Sequence, residues 1–365
     1  MNTIVFRTTN ECNLRCTYCY DNNNHEDCIS KKIATDNFAN NMGYILDDCL
    51  KIYGNNRKPN FIFHGGEPLL VDTKLLDEFC TELYKKRNVK FSIQTNGTLI
   101  NEQAIDFFRK HHVGVGISLD GANEKQNAAR IFKNGSTSFK TVLAKTELLK
   151  KAGIDFGIVM SISKLHMGCE QELYEFLADH KFNCNIRPVY PSASGNNDVV
   201  MTSDEYLEFF RNLFDIWFND EEKRVDTYQI NEFAKALTKG LIPRYSEHMC
   251  ECSPNCFLNF ISLDVLGNLY ACNRLYNVED FYYGNIRNMS MEEVYKIAYK
   301  WLEERNKAIK EKCGDCKMVN NCYGGCPAES YGVTGSILEP SVNCEIKKGV
   351  SEYVKQKVLS LGRIN

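Results

Sequence analysis

Between residue 3 and about residue 190, short runs rich in β-branched and aromatic residues alternate with stretches whose apolar positions recur every three or four residues. The first kind predicts strands at TIVFRTT (3–9), NFIFHGG (60–66), VKFSIQTN (89–96), VGVGISLD (113–120), DFGIVMSIS (155–163) and CNIRPVY (184–190). The second predicts helices near 32–52, 73–87, 102–111, 137–151 and 170–180. A repeat of about 25–35 residues per strand–helix unit suits parallel strands joined by right-handed crossovers. Six such units, each strand ending in polar or Gly-rich residues, predict an α/β fold: an open, partial (β/α)6 TIM barrel with its chemistry on the C-terminal rim. A doubly wound open sheet is the other arrangement this pattern allows.

After the sixth strand the texture changes. A loop, PSASGNNDVV (191–200), precedes helices expected near 203–218 and 226–240. From Cys250 onward cysteines, glycines and short strands such as FLNFISLD and NLYAC predominate. So little apolar sequence there predicts a fold organised by metal. An amphipathic helix is expected at 346–361. The chain therefore divides into a barrel (1–235), a linker (236–249), a small metal-organised domain (250–345) and a C-terminal helix (346–365).

A net charge of −3 on a mixed surface gives no electrostatic reason to expect nucleic acid or an anionic membrane as partner. The first fifteen residues lack the apolar run of a signal peptide, and nothing approaches the roughly 20 apolar residues of a membrane span. A cytoplasmic protein is expected. The 17 cysteines are an odd number, and in a reducing compartment they are better explained by metal than by disulfides.

Three cysteines follow the first strand in ECNLRCTYCY (11–20): Cys12, Cys16 and Cys19. Zinc with His25 as fourth ligand, part of a disulfide framework, and an iron–sulfur cluster all fit this spacing. Other strand ends carry candidate contacts. GGEP (65–68) supplies Gly65, Gly66 and Glu67, where glycines allow close backbone approach to a ligand. QTNGT (94–98) supplies Gln94 and Asn96, SLDG (118–121) supplies Ser118 and Asp120, and Arg130 follows.

With these motifs in this order the sequence resembles the radical S-adenosylmethionine (SAM) enzymes. Their C-x3-C-x-aromatic-C motif follows the first strand of a partial barrel, and Tyr18 stands here at the aromatic position. The resemblance implies that Cys12, Cys16 and Cys19 hold a 4Fe–4S cluster with one iron open to SAM. It also implies that this pair generates a 5′-deoxyadenosyl radical, that Glu67 accepts from the SAM ammonium group, and that Ser118 and Arg130 bind its carboxylate.

The C-terminal pattern reads Cys256-x10-Gly267-x4-Cys272, Cys313-x2-Cys316-x5-Cys322-x3-Cys326, then Cys344. It resembles the seven-cysteine SPASM domain, which carries two auxiliary 4Fe–4S clusters. The resemblance assigns Cys256, Cys272, Cys326 and Cys250, with Cys252 as alternative, to the first auxiliary cluster. It assigns Cys313, Cys316, Cys322 and Cys344 to the second. Three 4Fe–4S clusters and SAM are thus the implied cofactors, and both auxiliary clusters, being fully ligated, are expected to have redox roles. An electron donor such as flavodoxin or ferredoxin is an implied partner.

Over nearly the whole chain the pattern most resembles the anaerobic sulfatase-maturating enzymes, which oxidise Cys or Ser to formylglycine. Those enzymes place a catalytic Asp immediately after the third cysteine of the first auxiliary cluster. Here that position is Asn273, and an amide is no carboxylate base. Asp120 and His64 are the substitutes considered. The departure favours a maturase of ribosomally made peptides that abstracts hydrogen from carbon and forms a side-chain cross-link. With the barrel starting at residue 3, either a separate protein presents the leader peptide or the rim reads a short motif itself. Tyr20, Asp21, Tyr190 and Asn273 are the rim contacts expected for a peptide.

Overall fold

A computed structural model describes residues 3–21, 31–52, 59–191, 195, 197–225, 227 and 253–360. The expected linker, most of the helix near 226–240, and Cys250 and Cys252 lie outside the described residues. Two compact units emerge. One comprises Met1–Ser118, Arg130–Phe156 and Phe257–Leu302; the other comprises Leu119–Ala129, Gly157–Cys256 and Glu303–Asn365.

In the first unit the strands are β1 (Thr3–Thr9), β2 (Asn60–Gly65), β3 (Lys90–Thr95) and β4 (Gly114–Ser118), each close to its predicted limits. They run parallel, β1 to β2, β2 to β3 and β3 to β4. Helices α1 (Lys31–Asp48), α2 (Thr73–Lys86) and α3 (Glu102–His111) connect them, and α4 (Phe139–Lys151) follows β4.

Period-2 alternation turns one face of these strands toward the helices and buries Ile4, Phe6, Phe61, Phe63, Phe91 and Ile93 there. The rings interlock: Phe6 lies 5.2 Å from Phe61 and 5.4 Å from Phe79, and Phe63 lies 5.8 Å from Phe91. Offset and edge contacts of this kind add to burial in fixing the layer. The opposite face carries polar residues at the strand ends, with Arg7 directly beside His64 in the β1–β2 register.

The sequence did not predict what occupies the other edge of β1. There β7 (Phe260–Asp264) pairs in parallel, with Arg7 opposite Asp264. The antiparallel strands β8 (Asn268–Tyr270) and β9 (Tyr282–Asn285) continue the sheet. Part of the region expected to be a separate metal-organised domain thus completes the sheet and caps an edge that would otherwise present unpaired backbone groups.

The second unit pairs β5 (Phe156–Ile162) in parallel with β6 (Cys184–Pro188) and packs α5 (Glu170–Asp179) and α6 (Ser203–Asn219). A capping box starts α6, with Thr202 and Glu205 satisfying each other's backbone N–H groups. The C-terminal helix, Cys344–Ser360, is tied to α6 by Tyr353 and Lys357, which both donate to Asp215 at 2.7 and 3.0 Å. The helix Met291–Cys313, 23 residues long, was not predicted; its apolar positions are diluted by Lys and Glu.

Candidate functional site

The cysteine loop is fixed from two sides. Gly66 N–H donates to the Thr9 carbonyl (2.9 Å) and Glu67 N–H to that of Glu11 (2.7 Å), binding the end of β2 to the loop's start. A Cβ on Gly66 would stand 2.0 Å from the Glu11 carbonyl oxygen, and one on Gly65 2.1 Å from that of Thr9. The close backbone approach expected of these glycines is therefore made to the chain's own loop. On the other side Leu14 bridges Phe132, and Arg15 N–H donates to the Ile131 carbonyl at 2.8 Å. That pairing brings Arg130 onto the loop, where its guanidinium donates to the Tyr18 hydroxyl at 2.8 Å.

Glu67 is fully buried and braces two strand ends. Its carboxylate accepts from Thr95 Oγ1 (2.6 Å), Asn96 N–H (2.7 Å) and Leu69 N–H (3.0 Å). Burial still raises its pKa despite those bonds. Gln94 donates to Ser118 Oγ at 3.1 Å, so these two predicted contacts sit side by side. Asn96 donates to Asn13 at 2.8 Å and approaches Cys12 Sγ at 3.9 Å.

Cys12, Leu14 and Cys16 form one buried cluster against which Tyr18, Cys19 and Phe132 pack. Burial, then the charges of Glu67 and Cys16, raises the Cys12 thiol; burial and Cys16 push Cys19 up to about 12. Thiols raised in this way ionise only when a cation is bound among them. No group of three His, Cys, Asp or Glu side chains among the described residues could hold a metal ion. A four-iron cubane is larger than one ion, and its thiolates stand further apart than zinc ligands.

A polar network crosses the adjacent strand ends. Arg7 is fully buried and donates to Asp21 (2.7 Å), to Asn10 (3.0 and 3.1 Å) and to Asn273 Oδ1 (2.9 Å). Burial is the largest single influence and lowers its pKa, but Asp21, Tyr20 and Tyr276 together raise it above the ordinary value. Tyr276 lies under the guanidinium, 3.9 Å from ring centre to Cζ, and its hydroxyl donates to Asp264 at 3.1 Å. Because Arg7 can only donate, Asn273 must turn its oxygen toward it and its NH2 toward Tyr20 (2.6 Å) and His64 Nδ1 (3.5 Å).

His64 Nδ1 also accepts from the Gly65 N–H at 2.8 Å. Nδ1 also lies 3.3 Å from the Gly65 carbonyl, so the Gly65 backbone engages this edge of the ring. Desolvation and the charge of Arg7 push its pKa down to about 4. Asp120, in the second unit, accepts from Ser161 N–H at 3.0 Å, and its carbonyl bonds to His166. None of the three candidate bases is thus an unengaged proton acceptor. Asp21, expected as a surface contact, is 3% exposed and bound in its ion pair. Tyr20 is 38% exposed, Tyr190 half-buried.

In the second unit Cys313, Cys316, Cys322 and Cys344 line one recess of ≈ 380 Å³, open solvent included, with Gly324, Gly325 and Lys348. Burial and the neighbouring thiols raise Cys313. A four-thiol lining of this kind fits the expected cluster. Cys256 and Cys326 belong to the same unit, Cys272 to the other, where it precedes the short turn Asn273–Leu275. Arg7 and Asn10 are not found by motif reading, and Asp21 is expected there only as a peptide contact; the one signal is an arginine inside the apolar run TIVFRTT.

Residues 6–177 match the Radical SAM superfamily. A cysteine-type anaerobic sulfatase-maturating enzyme of Clostridium perfringens is 28% identical over 367 residues, covering 96% of this chain and 95% of the relative. Native anSMEcpe with bound AdoMet superposes with a TM-score of 0.81 at 24% identity, over 99% of each chain. Streptococcus suis SuiB bound to precursor peptide SuiA gives 0.66 at 17% identity, over 94% of this chain and 75% of that one. The fold is that of these open partial barrels, an α/β architecture with an unclosed parallel sheet.

Proposed function

From a radical SAM domain and homology to the anaerobic sulfatase-maturating enzymes, we propose that this protein is a SPASM-type maturase that modifies a ribosomally made peptide at an unactivated C–H bond. Cys12, Cys16 and Cys19 would hold the SAM-binding 4Fe–4S cluster. The two auxiliary clusters would take Cys256, Cys272, Cys326 and Cys250, and Cys313, Cys316, Cys322 and Cys344. Bound there, cluster and SAM supply reductive cleavage to a 5′-deoxyadenosyl radical, the hydrogen-abstracting agent of the family.

The observation that carries the reading is the locked amide of Asn273. Its oxygen faces Arg7 and its nitrogen faces Tyr20, so it positions Tyr20 and takes up no proton. His64 Nδ1 is already engaged by the Gly65 backbone. Among the described residues the three candidates Asn273, His64 and Asp120 are each already engaged, which suits abstraction of a hydrogen atom from carbon better than deprotonation of a Cys or Ser side chain. Tyr18, Ser118, Gln94 and Arg130 would orient the SAM end of the site, a role supported by the Arg130–Tyr18 and Gln94–Ser118 bonds that pair them.

A second reading, formylglycine formation, is favoured by the whole-chain likeness to sulfatase maturases. Anaerobic reconstitution with SAM, dithionite and two peptides separates the readings. The first expects 5′-deoxyadenosine and a peptide lacking two hydrogens, with no aldehyde trapped by hydrazine. An aldehyde formed on a sulfatase-type Cys or Ser peptide overturns it. The peptide, an electron donor such as flavodoxin or ferredoxin, and a separate leader-binding protein complete the proposed partners. Among the described residues no helix is long and apolar enough to cross a membrane.

A further inference from the structure

Among the described residues near the C-terminal cysteines, Arg305 is a buried cation whose hydrogen bonds reach no carboxylate. Arg305 lies on the helix Met291–Cys313, about two turns before Cys313, and is 3% exposed. One end of its guanidinium donates to the carbonyls of Gly324 (3.0 Å) and Gly325 (2.9 Å), which lie between Cys322 and Cys326. The other donates to the carbonyls of Glu339 (3.0 Å) and Ile337, on the segment leading to Cys344. Among the described residues all its hydrogen bonds thus end on backbone oxygens. A buried arginine is ordinarily paired with an anion.

Among the described residues, the ionisable groups that act on it most are cysteines. Cys256, Cys326, Cys313 and Cys322 all act electrostatically on Arg305, two from each auxiliary ligand set. The wrapping is tight: Gly324 and Gly325 have φ of 75° and 74°, and a Cβ on Gly324 would meet Ile309 at 2.4 Å. The charge is therefore held at a fixed place in a poorly solvated interior, where it acts with little screening.

We propose that Arg305 is a shared counter-cation of the two auxiliary clusters, a positioning residue that raises both reduction potentials. The inference rests on the reading that these cysteines bind 4Fe–4S clusters. Adding an electron makes a cluster one charge more negative, and a fixed positive charge nearby favours that state. The role suits clusters whose function is to accept electrons.

The test uses the full chain with Cys12, Cys16 and Cys19 changed to Ala, so that only auxiliary clusters load. Their potentials are followed by EPR-monitored redox titration in the Arg305 parent, Arg305→Gln and Arg305→Lys. Arg305→Gln is expected to weaken reduction at least tenfold, a shift of about 59 mV toward negative values, while Arg305→Lys stays near the parent. Equal potentials in all three, or equal shifts in both variants, overturn the inference and leave Arg305 a backbone clamp. If Arg305→Gln fails to retain iron, Arg305→Lys decides: a parental potential supports the charge role and a shifted one overturns it. Absence of iron from the parent overturns the cluster reading itself, and the inference with it.

Discussion

Arg7 donates to Asn273 Oδ1 at 2.9 Å, a bond between residues 266 positions apart in sequence. It is the point where the first strand meets the turn after Cys272. The same guanidinium holds Asp21, so one positive charge is matched by one carboxylate and two neutral amides, Asn10 and Asn273. An aspartate at 273 would put a second carboxylate on that charge and remove the donors now given to Tyr20 and His64. The identity of residue 273 and the balance around Arg7 are therefore one property.

Arg7→Met leaves Asp21 buried without its partner and is expected to cost about 3–5 kcal/mol of stability, measured by anaerobic denaturant unfolding. The double change Arg7→Met with Asp21→Asn should recover part of that loss. Additive costs would show that the pair is not coupled.

Gly66→Ala drives a methyl into the Glu11 carbonyl and is expected to cost more than about 2 kcal/mol. Gly43, exposed in α1 with nothing within 4 Å of its Cβ position, provides the contrast. There alanine should stabilise by about 0.5–1 kcal/mol through helix propensity. Melting temperatures of the two variants give opposite signs if the glycine pair closes the cysteine loop.

His64 is held neutral down to about pH 4, whereas in the unfolded chain it titrates near 6.5. The unfolded state then binds the extra proton between these values, so stability falls as pH drops from about 6.5 to 4. The loss attributable to this group reaches about 3 kcal/mol at the acid end. Subtracting the stability–pH curve of His64→Gln from that of the parent should isolate it. Parallel curves would place His64 in solvent.

On the proposed three-cluster assignment, Cys344→Ala and Cys12→Ala should each lower iron from about twelve per chain to about eight after anaerobic reconstitution. Only the second should abolish SAM cleavage to 5′-deoxyadenosine. Loss of all iron in either variant would mean that the clusters do not assemble independently.

The barrel strands were legible because their period-2 pattern is written in residues such as Phe61, Phe63, Phe91 and Ile93, whose burial needs no distant information. Cysteine spacing and Gly-rich strand ends were equally local. The edge pairing of β7 with β1 was not, since no residue within either strand specifies a partner so far away. The Arg7 network was hidden for the same reason: its members come from β1, the cysteine loop and the turn after Cys272. Glu67 and the two glycines were found by motif, but their bonds to Thr95, Asn96 and the 9–11 backbone belong to tertiary structure.

The pairing of β1 with β7 also sets a timetable. At about 5–20 residues per second, the ribosome delivers β7 tens of seconds after β1 has emerged. Until then the first strand has a partner on one side only, and Arg7 lacks Asn273 and Tyr276. A nascent chain halted before residue 260 would carry an open strand edge beside three unprotected thiols. The length of that interval makes this protein's yield sensitive to translation speed and to oxygen during synthesis.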